Sequence, residues 1–356
     1  MWRWSRARRD RRLEWWPRGL LVTGLIVAAG LVGRSVAAPG VLTAPGFSVE
    51  IVVINVGRPI QLAFDGAGRL VVLSHGRRGD AAGEILRLDV GGPLPVDAEE
   101  TPRVVIPFSP APRKAAFGSL AVDRRTGDLY LGEENGNRIY RLSADNQLVP
   151  AAIGLNQLVG GSSIALDSEG RLIALDYVSP ETQARAEVTP PPGLDVLGVN
   201  SYHGPVVFRA SLGDEAAPAR RLDLVTPFFP RRLIAPPGEP LTRLIAVAVH
   251  PSGDLVAVDS LGHVLRLSPT AELRRITRLP AGHYQRTSID LTPDGALLVS
   301  TGLHVRRLFR VSATGVTTTL ASELGDPNGV AVDAENRVYI AETALHRVIR
   351  LVPARS

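Results

Sequence analysis

Asn328-Gly-Val-Ala-Val-Asp-Ala-Glu-Asn-Arg-Val-Tyr-Ile-Ala-Glu-Thr-Ala-Leu-His-Arg-Val-Ile-Arg-Leu351 reads as three strands. Val330–Asp333 is a short β-branched run, Ala334–Arg337 is a turn, and Val338–Ala341 is a second apolar run. His346–Leu351 alternates Val, Ile and Leu with Arg, the pattern of a half-exposed strand. The same signature recurs at Leu62–Asp65 with Leu70–Leu73, Leu120–Asp123 with Leu129–Leu131, Ile164–Asp167 with Leu172–Leu175, Val247–His250 with Leu255–Val258, and Ile289–Thr292 with Leu297–Val299. Taking Asp65, Asp123, Asp167, His250, Thr292 and Asp333 as equivalent gives spacings of 58, 44, 83, 42 and 41 residues. These bracket the roughly 40–50 residues of a four-stranded propeller blade. The pattern predicts an all-β, six-bladed β-propeller. Residues 177–243 hold no second copy of the signature, so the widest spacing reads as an insertion, with a decayed seventh blade as the alternative.

Pro327-Asn-Gly-Val-Ala-Val-Asp, then Val-Tyr-Ile-Ala-Glu-Thr, then Arg-Val-Ile-Arg-Leu resembles the NHL-type repeats and the six-bladed propellers of the gluconolactonase/strictosidine-synthase-like superfamily. The resemblance runs over about residues 47–353. It implies the fold and leaves the activity open, because that superfamily includes lactonases, sugar dehydrogenases, a condensing synthase and non-catalytic binding modules.

A chain of 356 residues that is 45% hydrophobic and 21% charged can bury a large core, and one propeller uses nearly all of it. The absence of cysteine excludes disulfides, thiolate catalysis and Cys-ligated metals. The net charge of +5 is badly distributed for nucleic-acid binding: residues 1–37 hold eight arginines against Asp10 and Glu14, which leaves the remainder close to neutral. That basic head precedes the apolar run Gly19–Gly33, and Ser35-Val-Ala37 offers small residues for cleavage after Ala37. Trp15-Trp16-Pro17-Arg18 also resembles an interfacial anchor beside a membrane helix, so residues 1–38 read as a signal peptide or signal anchor. Either reading exports the propeller to the periplasm or the extracellular side, with membrane contact only through the N-terminal segment. Residues 39–46 read as a linker, and 47–356 as the propeller with an insertion at 177–203 in the third blade.

The last repeat stops at Val352-Pro353 after three strands, whereas other copies continue into a fourth. Val49–Asn55 is predicted to supply the missing outer strand and close the ring, which removes a bare edge. With strands a to d running up and down in each blade, the start of strand a and the end of strand b share one face, and the a–b turns lie on the other. The turn residues Asp65, Asp123, Asp167 and Asp333 read as tight-turn chemistry.

Candidate site residues lie on the opposite, b–c face. Ser74, Glu133, Asp176, Asp259, Thr301 and Glu342 are equivalent ends of strand b, and the longest insertion leaves directly after Asp176, carrying Tyr202 and His203. A ligand face is predicted from His75, Tyr202, His203 and Tyr284. In strand a, five repeats place alanine two residues before the marker, at 63, 121, 165, 248 and 331, where the fifth places Asp290. A carboxylate there is costly unless paired or metal-bound.

The resemblance to metal-dependent lactonases implies a divalent cation, calcium by type, held by Glu, Asn and Asp residues entering the inner strands, and Asn328 in Asn328-Gly329 matches one such position. The corresponding Ile60, Gly118, Ser162, Ile245 and Thr287 are poor ligands, so Asp290, Asp176, Asp259, Glu133 and Glu342 would have to complete the set. In that reading the cation polarises a carbonyl, and Asp290 and His283 are the catalytic candidates. His75 and His283 also raise a quinone-dependent sugar dehydrogenase, which the resemblance would give a His base and calcium. No zinc-type histidine spacing, nucleophile elbow or phosphate loop is present. The leading expectation is a monomeric binding module for a small ligand or protein partner, with the metal-dependent lactone or ester hydrolase as its alternative.

Overall fold

Residues 38, 40–77, 81–108, 116–134, 136–153, 155, 161–178, 204–210, 212, 223–226, 243–270 and 272–353 are described in a computed structural model. Six sheets account for their strands, and each blade runs antiparallel from an inner strand a to an outer strand d. Blade 1 is Pro59–Phe64, Leu70–Ser74, Gly83–Leu88 and Arg103–Ile106. Blade 2 is Phe117–Val122, Leu129–Glu133, Arg138–Leu142 and Leu148–Ile153. Blade 3 is Ile164–Leu166, Leu172–Val178, Gly204–Ala210 and Asp223–Thr226. The 83-residue spacing thus contains a single blade among the described strands, with residues 179–203 between its strands b and c. Blades 4 and 5 start at Leu244–Val249 and Ser288–Leu291.

Blade 6 takes Pro327–Val332, Val338–Glu342 and Arg347–Pro353 from the C-terminus and Phe47–Ile54 from the N-terminal side. The last two pair antiparallel, Val49 opposite Leu351 and Val53 opposite Val348, with a bulge between Ile51 and Val53. This closes the ring as the three-strand final repeat predicts. Two further short strands cover remaining edges. Val96–Asp97 pairs parallel to Val53–Ile54, and Leu42–Thr43, inside the stretch read as a linker, pairs with Ala321–Ser322 on blade 5. Both satisfy edge groups that would otherwise template aggregation.

Strand b of each blade is the middle of the sandwich and is buried on both sides, which is why Val338–Glu342 and Leu70–Ser74 read as continuous rather than alternating runs. The core is divided into six apolar layers, one between each pair of neighbouring blades. The a–b turns are self-contained. Asp65 Oδ1 accepts the N–H groups of Ala67 and Arg69 while Arg69 Nε donates to Oδ2, and Asp167 and Asp333 repeat the arrangement with Arg171 and Arg337.

Candidate functional site

The equivalent ends of strand b share one local role. Ser74 accepts the Gly76 N–H, and Thr301 accepts the Arg307 N–H (2.8 Å) and donates to the Arg307 carbonyl. Asp259 accepts the N–H groups of Leu261 and His263 and the His263 Nδ1–H at 2.8 Å. Glu342 accepts the Gly325 N–H (2.7 Å) and Arg347 Nε (2.6 Å), and Asp176 accepts the Tyr177 N–H. Burial pushes Glu133 above the usual carboxylate range, opposed by Tyr140, Arg138 and the Asn137 N–H. A polar residue recurs here because the chain turns into strand c and leaves backbone N–H groups needing an acceptor. These acids anchor backbone or arginine within separate blades, and no three of them gather as a metal set among the described residues.

The ring axis is plugged between the two faces. Ser162 Oγ lies 2.6 Å from Ser288 Oγ, and both approach Gln61 Oε1, so blades 1, 3 and 5 meet in one buried polar knot. Gly161 and Ser162 also donate to the carbonyls of Gly118 and Thr287. Beneath the b–c face this leaves a cavity of about 10 Å³ touching His75, Glu134, Arg286 and Asn328. It is about the size of one water.

Asn328 lies at this end. Its Nδ2 donates to Thr343 Oγ1 (2.7 Å), while its buried Oδ1 has no protein partner among the described residues. Asp290 lies at the other end: Oδ2 accepts the Val332 N–H and Oδ1 the Leu291 N–H, both at 2.8 Å, and the side chain lines a cavity on the a–b-turn side. The two residues therefore do not share a coordination sphere. Three positions further along strand a carries a side chain past the plug to the opposite face. Tyr284 is fully buried against Gly262 and Gly282 and donates to the Pro280 carbonyl, so it is a core residue rather than part of a ligand face. Its neighbour His283 is exposed and stands 6.1 Å from the His304 ring. Tyr202 and His203 lie outside the described residues.

His75 is buried, and its Nε2 donates to the Phe117 carbonyl (2.9 Å), which makes Nδ1 the acceptor in the neutral ring. Burial lowers its pKa; the Phe117 bond and Glu134 oppose this, and the charges of Arg58 and Arg286 add to it. Around it stand charged residues that the repeat alignment passes over. Arg286 of blade 5 reaches Glu134, which follows strand b of blade 2 on the diametrically opposite side, at 3.3 Å, and so straps the axial mouth. Arg58 makes no side-chain hydrogen bond or ion pair among the described residues. Asp326 is pushed above the usual carboxylate range by burial, opposed by Asn328, Arg286, His304 and Arg58, and its buried Oδ1 has no partner among the described residues. Arg58, Arg286 and Asp326 just precede inner strands and have left-handed backbones, with φ of 49°, 56° and 58°. The sequence signal was a charged residue just before the inner strand in several d–a turns, as in Gly57-Arg-Pro and Gly325-Asp-Pro.

These residues do not fit a calcium-type cation. Such an ion takes about six to eight oxygens, several of them carboxylate. Among the described residues no three His, Asp or Glu side chains gather as a metal set, and two guanidinium groups stand at the mouth where the cation's charge would fall.

The whole arrangement has known counterparts in shape. A gluconolactonase from Xanthomonas campestris matches with a TM-score of 0.58 at 16% identity, covering 90% of this chain and 97% of that one. A virginiamycin B lyase from Staphylococcus aureus matches at 0.53 and 15%, covering 86% and 99%. A Trichoderma reesei carbohydrate-active enzyme of family AA12, described as a calcium structure, matches at 0.56 and 13%, covering 92% and 99%. The chain shares their six-bladed propeller fold. No family model and no curated relative matches the sequence. At such identities the likeness is one of fold.

Proposed function

We propose that this propeller is a binding module whose b–c face takes a small hydroxylated acid, with Arg58 and Arg286 as its anion contacts. The observation that carries this reading is the set of three charged residues in left-handed backbone conformations around one axial mouth. Such conformations cost about 1–3 kcal/mol each in non-glycine residues and collect at ligand sites. The chemistry agrees. Beneath the guanidinium groups lie two buried acceptors, Asn328 Oδ1 and Asp326 Oδ1, which hydroxyl donors from a ligand would satisfy. Guanidinium outside and acceptors inside is the complement of a carboxylate that carries hydroxyl groups.

The fold shared with a gluconolactonase supports a second reading, hydrolysis of a lactone of such an acid, and the orphaned Asn328 Oδ1 is the one described feature that favours it. Export to the periplasm or cell exterior is part of the same proposal and rests on the arginine-rich head and the apolar run Gly19–Gly33, which lies outside the described residues. A monomer that does not bind nucleic acid is part of the same proposal, and the near-neutral charge of the propeller supports its second half. No helix among the described residues is long and apolar enough to cross a membrane.

Calorimetric titration with gluconate tests the binding reading. A charge-assisted contact contributes about 1.5–3 kcal/mol, so Arg58→Ala and Arg286→Ala should each weaken binding about tenfold or more. Absence of saturable binding by any hydroxy acid, or equal binding by both variants, would remove the proposal. A gluconolactone hydrolysis assay with and without added calcium separates the second reading.

A further inference from the structure

Below the polar knot the axis opens into a cavity of about 600 Å³ on the a–b-turn side. Its walls include Ala63, Ala121, Ala165 and Ala248, the small residues of four inner strands. A second cavity of about 840 Å³ adjoins it, and the two share Arg124 and Asp290. These two come from blades 2 and 5, on opposite sides of the ring.

Most charge around this opening is already matched. Asp65, Asp167 and Asp333 are paired with Arg69, Arg171 and Arg337, Asp123 with Arg125, and Glu169 with Arg171. Apart from the exposed Asp89 of the adjoining cavity, which accepts the Gly91 N–H, what remains is one acid and one base. Arg124 makes no side-chain hydrogen bond or ion pair among the described residues, and Asp290 holds only the backbone N–H groups of Val332 and Leu291. Each carboxylate oxygen has a second lone pair to offer.

We propose that this turn-side cavity is a second binding site, distinct from the b–c face, and that it takes a small zwitterion with its carboxylate on Arg124 and its ammonium on Asp290. A simple anion would leave the half-buried Asp290 uncompensated, and a simple cation would meet Arg124. A divalent cation would find a single carboxylate. A molecule bearing both charges satisfies both walls at once, and alanine walls leave room for a short apolar spacer. The volume lies within the range of about 300–1,000 Å³ typical of small-molecule pockets. Burial raises the Asp290 pKa to about 6, with the Val332 and Leu291 N–H groups and Arg124 opposing it, so near pH 8 the acid is ionised and makes no ion pair among the described residues.

The test is titration of the full chain at pH 8 with 4-aminobutyrate and glycylglycine, beside butyrate and butylamine as single-charge controls. Expected is one saturable site for at least one zwitterion, at least tenfold tighter than either control. Arg124→Gln and Asp290→Ala should each weaken it at least tenfold, while Arg58→Ala leaves it unchanged. Asp290→Ala installs the residue found in the other five blades and Arg124→Gln alters an exposed side chain, so both are expected to fold. Saturable butyrate binding equal to that of the zwitterions would overturn the assignment, as would zwitterion binding indifferent to both variants or no saturable binding at all. Because Arg58→Ala reports on the b–c face alone, failure of either site is visible separately.

Discussion

Position 290 holds the one acid in a row of alanines, and its environment makes a sign-definite prediction about stability. Burial raises the carboxyl from 3.8 to about 6, so between these values the native state keeps a proton that the unfolded chain has released. Stability contributed by this group is therefore present below about pH 4 and lost as pH rises through 6. At about 1.4 kcal/mol per unit, the loss is up to about 3 kcal/mol. The acids lining the same cavity, Asp123, Asp167 and Glu169, are each paired with an arginine, which leaves Asp290 as the group to follow. In urea unfolding, Asp290→Ala should gain on the parent protein by up to that amount between pH 4 and pH 8. A pH-independent difference would show that the carboxyl titrates normally. The repeat alignment made this residue legible as an outlier, but not its face, because the plug made by Gln61, Ser162 and Ser288 depends on side chains from three blades meeting at the axis. Arg58 and Arg286 were illegible for a different reason: arginine has no local propensity for the left-handed conformation that both adopt.

Among the elements, strand b shows how a correct alignment leads to two different functions. Six equivalent ends with four carboxylates look like a ring of ligands, and the sequence contains nothing that distinguishes such a ring from six separate turn anchors. The deciding contacts are to neighbouring backbone and arginine: Glu342, fully buried, is held by the Gly325 N–H of the preceding d–a turn and by Arg347 at the start of strand c. Removing one partner of a buried pair strands the other, at about 3–5 kcal/mol. Glu342→Ala should lower the unfolding free energy by that amount while leaving the affinity of the remaining folded protein for gluconate or 4-aminobutyrate unchanged. Loss of either affinity without loss of stability would return Glu342 to the ligand set. Inner strands impose a second constraint. A Cβ on Gly329 would sit 3.0 Å from Gln61 Cα and 3.1 Å from the Ile60 carbonyl oxygen, so blades 6 and 1 approach backbone to backbone. Gly329→Ala should cost about 1–3 kcal/mol in the same unfolding experiment, the range for forcing extra atoms into a packed interior.

At the scale of the molecule, fold and chemistry separate. The period of the repeats and the three-strand final copy were enough to derive a closed six-bladed ring, because both follow from hydrophobic pattern and strand count. The same ring serves a gluconolactonase and a virginiamycin B lyase, so it carries no instruction about the chemistry it hosts. Closure itself is the property the whole chain depends on. Phe47–Ile54 covers the edge of Arg347–Pro353, and Val52, Val53 and Val56 belong to the apolar layer between blades 6 and 1. A chain beginning at Arg58 would bare that edge and open two of the six layers, since Ile51 sits in the layer toward blade 5. It should aggregate or unfold without cooperativity, whereas a chain beginning at Ala38 should give one sharp calorimetric transition. Both outcomes are read by gel filtration and scanning calorimetry of the two proteins side by side. A soluble, cooperatively melting product from residue 58 would mean that the four untouched layers hold the ring unaided, and the N-terminal strand would then be a cover rather than a clasp.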